Sequence, residues 1–121
     1  MGATMLMFRG FLIIFLAGLV GYTIAVIANH GWDLLSVFFG DMAAMGWPGQ
    51  FNLDFLGFLA LSALWVTWRH GFSPTGFALA PLAFFGGMGF LAPYLLIESI
   101  RHKGNVEAML LGAKRAEQSR V

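Results

Sequence analysis

Residues 10–32, GFLIIFLAGLVGYTIAVIANHGW, contain no Asp, Glu, Lys or Arg. An uncharged run longer than the roughly 20 residues a bilayer core demands reads as a transmembrane helix, here expected over 7–28. The run outlasts the roughly 7–15-residue apolar core of a cleaved secretory signal and ends without a small-residue cleavage site, so it is expected to stay as structure. Inside it Ala17, Gly21, Ala25 and Ala28 recur at helical spacing. Small side chains on one face let a neighbouring helix approach closely.

Two further uncharged stretches follow, 55–68 and 71–97. With 121 residues, 59% hydrophobic and 11% charged, the chain has too little polar surface to coat a soluble globule of its size. The expected fold is an all-α integral membrane protein of one domain, with three transmembrane helices over 7–28, 51–69 and 74–103. The middle span is short. Asp54 and Arg69 bracket roughly 21 Å of helix at 1.5 Å per residue, against a hydrocarbon core of about 30 Å. Arg69 can snorkel, and Trp65 and Trp68 suit an interface, which leaves Asp54 below the headgroups. Trp47-Pro48-Gly49 reads as a turn, with Asn52 capping the second span and Asp54 in its first turn.

Residues 32–46 form the linking element. On a helical wheel Trp32, Leu34, Leu35, Phe38, Phe39, Met42 and Met45 fall on one side, and Asp33, Ser36, Gly40, Asp41 and Ala44 on the other. Two aspartates on so short a segment favour a helix lying in the interface or re-entering, since an ionised Asp at the bilayer centre costs about 2.5–3.5 kcal/mol. The small side chains of Ser36, Gly40 and Ala44 leave docking against a span, or a fourth span, open.

Ser73-Pro74 suits the start of the last span, serine as N-cap and proline in the first turn. Gly76, Ala80, Ala83 and Gly87 form a small-residue seam along it, and Pro81, Gly86, Gly87, Gly89 and Pro93 predict kinks. Gly104 ends the helix, and Asn105 caps an amphipathic tail over 105–119, with Val106, Met109, Leu110 and Ala113 on its apolar face.

No cysteine is present, which removes disulfides and thiolate chemistry. Net charge is +1, and five of the seven Lys and Arg lie at Arg101 or beyond. Basic residues near span ends mark the cytoplasmic side and put the C-terminus there. Three spans then place the N-terminus outside and bring His30, Asp33, Asp41, Asp54, Glu98, Arg101, His102 and Lys103 to one face.

Asp54 and Glu98 are the candidate catalytic acids, because intramembrane carboxylates are costly and often functional. Against that, Asp54 fits a first-turn helix charge, and Glu98 fits local pairing with Arg101 and His102, Tyr94 lying one turn back. His30, Asp33, Asp41, Tyr94, Arg101 and His102 are candidate ligand-binding residues. Neither His30 nor His102 has companion ligands at metal spacing, so no metal site is expected. The 13 Phe and 7 Met could line a pocket for a lipid, pigment or quinone or simply supply packing bulk. The short basic tail lacks aromatic residues, which argues against nucleic acid as a partner.

The order of features resembles the small bacterial membrane proteins grouped as domain-of-unknown-function family two-eight-three-four. The resemblance covers about 32–101 and rests on Asp33-Leu34-Leu35 to Phe38-Phe39, on Asn52-Leu53-Asp54 leading into Ser62-Ala63-Leu64-Trp65-Val66-Thr67-Trp68-Arg69, and on Phe85-Gly86-Gly87-Met88-Gly89 to Pro93-Tyr94-Leu95-Leu96. It implies a three-span bundle in a bacterial inner membrane and no established activity. The leading expectation is a non-catalytic accessory or assembly subunit, packed in lipid against other membrane subunits or itself. The alternatives are a hydrophobic-ligand subunit or isoprenoid-modifying enzyme, and an oligomeric proton-coupled transporter.

Overall fold

The structure is a computed structural model that describes residues 2–119, and every described element is helical. In chain order they are α1 (Gly2–His30), α2 (Leu34–Ala43), α3 (Trp47–Arg69), α4 (Pro74–Gly86), α5 (Met88–Arg101), α6 (Val106–Leu111) and α7 (Ala113–Ser119). Two of them, α1 with 29 residues and α3 with 23, are long and apolar enough to cross a membrane. They run roughly 43 and 35 Å at 1.5 Å per residue.

The third expected span, 74–103, is replaced by a helical hairpin. Its start packs on the end of α3, where a Cβ on Gly76 would lie 3.0 Å from the Thr67 carbonyl oxygen and 3.1 Å from His70 Cβ. Its middle, Gly87, lies against Phe55 and Leu59, back along α3. Its end returns to the tip of α3, where Glu98 meets Arg69. The reversal is at Gly87, whose φ of +54° and ψ of −132° separate α4 from α5. Such a backbone is open almost only to glycine. With 13 and 14 residues the two arms are roughly 20 Å each, short of a bilayer core.

The Gly76, Ala80, Ala83, Gly87 seam lets α4 lie close on α3: Gly76 and Ala83 are buried, Ala80 and Gly87 half-buried. Ser73 accepts a hydrogen bond from the Gly76 amide and Pro74 occupies the first turn, so α4 begins where the sequence signals it. Asn105 likewise accepts from the Ala108 amide to start α6.

The second span begins earlier than expected. Trp47-Pro48-Gly49 is the first turn of α3 rather than a turn before it, with Gly46 as N-cap. Proline's fixed φ and missing N–H suit the first turn of a helix as well as a turn. Asn52 is therefore inside α3 and is no cap; its amide donates to the Phe38 carbonyl at 3.0 Å. Asp54 stands exposed on the eighth residue of α3, beyond the first turn. α2 docks against α3 through half-buried Phe38, Asp41 and Met42. Gly49 makes the approach possible, since a Cβ there would lie 2.7 Å from Met42 Cα. The Ser36, Gly40, Ala44 face points the other way.

α1 packs along α5 through Met5 and Leu12, both buried, and half-buried Leu16 and Leu19. Ala17, Gly21 and Ala25, expected to pack, lie on the opposite side and stay exposed, with nothing within 4 Å of a Cβ on Gly21. The packed side is fixed by Arg9, which reaches Ser99 of α5. Apolar side chains on both long helices face outward: the most apolar windows of α1 and α3 are only 6% and 11% buried.

The hairpin also redistributes the charges. His30, Asp33 and Asp41 stand at the α1–α2 end, while Glu98, Arg101, His102 and Lys103 stand at the opposite end, so the expected single shared face does not exist. The end of α3, both ends of the hairpin, the start of α1 and α6–α7 meet there.

Candidate functional site

Arg69 is the centre of this end. It closes α3, and its side chain is only 3% exposed. A buried guanidinium needs its N–H groups satisfied and its charge balanced. Nη2 meets Glu98 Oε2 at 3.0 Å, Nη1 donates to the Tyr94 hydroxyl at 3.0 Å, and Nε donates to the Met109 carbonyl at 2.6 Å. A further Nη2 bond reaches the Ala108 carbonyl at 3.2 Å. One side chain thus joins α3 to α5 and α6.

Glu98, 4% exposed, is held by three cationic or potentially cationic groups. Arg101 meets Oε1 at 3.0 Å from one turn on, and His102 Nε2 lies 3.1 Å from Oε2. Tyr94, Glu98 and His102 follow at i, i+4 and i+8, one stripe of α5 turned toward Arg69. Asp54 takes no part: it lies fifteen residues from Arg69 on α3, roughly 22 Å along the axis. The two candidate acids, Asp54 and Glu98, are therefore not paired with each other, and Glu98 instead makes the local contacts with Arg101 and His102.

Three arginines share one task here. Carbonyls in the last turn of a helix lack intrahelical partners and carry its negative pole. Arg9 donates to the Ser99 carbonyl near the end of α5, Arg69 to Met109 near the end of α6, and Arg115 to the Trp68 carbonyl at the end of α3. The Arg115 guanidinium also lies 4.1 Å from the centroid of the Trp68 ring, and Trp65 Nε1 donates to the Leu110 carbonyl at 3.1 Å. These contacts clamp the amphipathic tail across the tip of α3. Local sequence reading treated Arg69 and Trp65 as interfacial anchors and passed over Arg9 and Ser99. Their long-range partners lie 25 to 90 residues away, beyond any helical periodicity.

His70 Nε2 lies 2.7 Å from the Tyr94 hydroxyl at the rim of the cluster. Burial lowers its pKa below the usual 6.5, helped by the Arg69 and Arg101 charges and opposed by Glu98. The fold therefore favours neutral His70, whereas the unfolded chain takes up a proton near its ordinary pKa. Stability supplied by His70 is present above pH 6.5 and is lost as pH falls through the lowered folded value. The thermal midpoint is expected to drop between about pH 7 and pH 5, and His70→Gln to flatten that slope. An unchanged slope in the variant would assign the pH dependence elsewhere.

His30 and Asp33 lie instead beside a separate, mostly apolar cleft of about 490 Å³, walled also by Val26, Ile27, Trp32 and Leu34. Asp41 is committed to the α2–α3 contact, half-buried beneath Gly49. Among the described residues no group of three or more His, Asp or Glu is arranged to hold a metal ion. No protein-family model, curated protein or solved structure matches the chain, so the site is read from its own chemistry.

Proposed function

We propose that the chain is a multi-pass membrane protein, the start of α1 and the end of α7 both on the cytoplasmic side, that serves as a non-catalytic packing or assembly subunit. The observation carrying this reading is the uncovered face of α1: Ala17, Gly21 and Ala25 lie opposite the side used by α5, and none of the described residues covers them. In lipid, close approach over small residues is a principal source of helix association. The low burial of α1 and α3 argues against their being core helices of a soluble domain, and Arg9 ties α1 to α5.

Orientation follows from charge. Arg9, Arg69, Arg101, Lys103, Lys114 and Arg115, all the described Lys and Arg, belong to the clamped end, while the α1–α2 end carries Asp33, Asp41 and His30 but neither Lys nor Arg. Such a partition is the bias that retains basic segments in the cytoplasm. Glu98 supports a scaffold over an acid/base catalyst, since three side chains already hold it.

Gly21→Leu tests the reading. Because no described atom lies within 4 Å of a Cβ at this exposed position, monomer stability is expected to hold while the oligomer or partner complex is lost in native mass spectrometry of mild detergent extracts. Since the chain has no cysteine, Ala17→Cys supplies a single cross-linking site on the same face. A monomer that captures no neighbour at Ala17→Cys, with Gly21→Leu changing nothing, defeats the proposal. The apolar cleft beside His30 favours a second reading, a bound lipid tail, quinone or pigment, since its volume falls in the range of small-molecule sites. Visible absorbance or co-purified lipid lost on Val26→Trp would support it.

A further inference from the structure

The clamped end encloses a second cleft, of about 580 Å³, between the tip of α3, the end of α5 and α6–α7. Its wall contains Arg69, Arg101, Lys114 and Arg115 together with His70 and His102, and no Asp or Glu lines it. Glu98 sits buried behind Arg69 and Arg101, and one carboxylate cannot neutralise both. The charges are also unequally engaged. Arg69 spends its N–H groups on Glu98, Tyr94 and the α6 carbonyls. Arg101, 63% exposed, uses Nη1 alone, and Arg115 likewise uses Nη1 alone. The Lys114 ammonium makes no hydrogen bond or ion pair with a described residue. Three cationic heads with free donors thus converge on a space larger than a single water or chloride would fill.

We propose that this cleft binds a phosphate-bearing anion, either the headgroup of a phospholipid in the surrounding leaflet or a soluble phosphate. Guanidinium groups match phosphate oxygens in pairs, and an ammonium adds a mobile point charge. Arg115 of its wall lies over the Trp68 ring, and Trp65 bonds to Leu110, next to Leu111 of the wall; tryptophans suit headgroup depth, which places the cleft within reach of a lipid headgroup. The lipid source rests on the membrane placement proposed above; the soluble source does not.

The experiment uses the full chain in bilayer discs. In discs of mixed phosphatidylglycerol and phosphatidylcholine, native mass spectrometry is expected to find phosphatidylglycerol retained. Lys114→Gln should lower that retention about fivefold, the effect of one basic residue at an anionic surface. Lys103→Gln removes the same charge outside the cleft and should leave retention unchanged. In discs of phosphatidylcholine alone, inorganic phosphate is titrated while tryptophan emission is read, Arg115 lying over the Trp68 ring. A saturable change abolished by Lys114→Gln assigns the soluble source, and retention without that change assigns the lipid. Equal losses for Lys114→Gln and Lys103→Gln, or neither retention nor a saturable change, would overturn the site. Failure of the chain to enter discs would defeat the membrane placement instead, and the phosphate titration in detergent would still decide whether the cleft binds.

Discussion

Arg69→Met is expected to free α6 and α7 from the bundle and to cost about 3–5 kcal/mol, the loss typical when one partner of a buried ion pair is removed. Glu98 would keep Arg101 and His102 but face an apolar chain where Arg69 stood, only 4% exposed. The carbonyls of Met109 and Ala108 would lose a charged donor at the same time. The two effects have separate readouts. Hydrogen exchange across 105–112 should rise sharply, and the midpoint of thermal unfolding in detergent should fall. Glu98→Gln should cost a comparable amount, leaving a buried guanidinium without its counter-charge, yet keep the tail better protected because the bonds to α6 survive. Equal tail protection in the parent and Arg69→Met would show that the clamp does not hold the tail.

The second large effect is expected at Gly87. Gly87→Ala forces an L side chain into a backbone region that costs about 1–3 kcal/mol for residues other than glycine. The new Cβ would also lie 3.2 Å from Phe55 Cζ and 3.5 Å from Leu59 Cδ2, tightening the hairpin tip against α3. The internal comparison is Gly89→Ala, in the first turn of α5 with nothing within 4 Å of the added Cβ, where gain of helix propensity should stabilise by at most about 0.5–1 kcal/mol, the mid-helix figure. Opposite signs in the thermal midpoints of these two variants are the expected result. If both behave alike, Gly87 does not set the reversal.

The gap between sequence and structure is concentrated at these two places. Helix starts at Ser73-Pro74 and Asn105 were legible because capping is a matter of adjacent residues. The long apolar helices were legible from composition. The hairpin was not, because Gly86-Gly87-Met88-Gly89 announces a break without its angle, and a kinked span and a full reversal share that signature. The reversal that Gly87 permits brings Glu98 to Arg69, 29 residues apart, a pairing that leaves no local trace. Arg69 looked like a residue that would reach for water; its burial depends on α6 folding back to offer carbonyls. The small residues of α1 were legible as a close-packing face, but α5 takes the other side, where Arg9 finds Ser99. Of the candidate residues, Tyr94, Glu98, Arg101 and His102 do meet at one site, whereas His30, Asp33, Asp41 and Asp54 lie apart from it.

The reversal at Gly87 has a consequence for biogenesis. In the proposed membrane orientation both arms of the α4–α5 hairpin enter and leave from the side on which the chain is made. Among the described residues, the one polar connection that must be carried across is the link between α1 and α3, and it contains Asp33 and Asp41 but neither Lys nor Arg. A membrane potential negative inside favours outward movement of each carboxylate by about 2.3 kcal/mol per 100 mV. Insertion of this chain should accordingly slow when the potential is collapsed, and exchanging Asp33 and Asp41 for asparagine should remove that sensitivity.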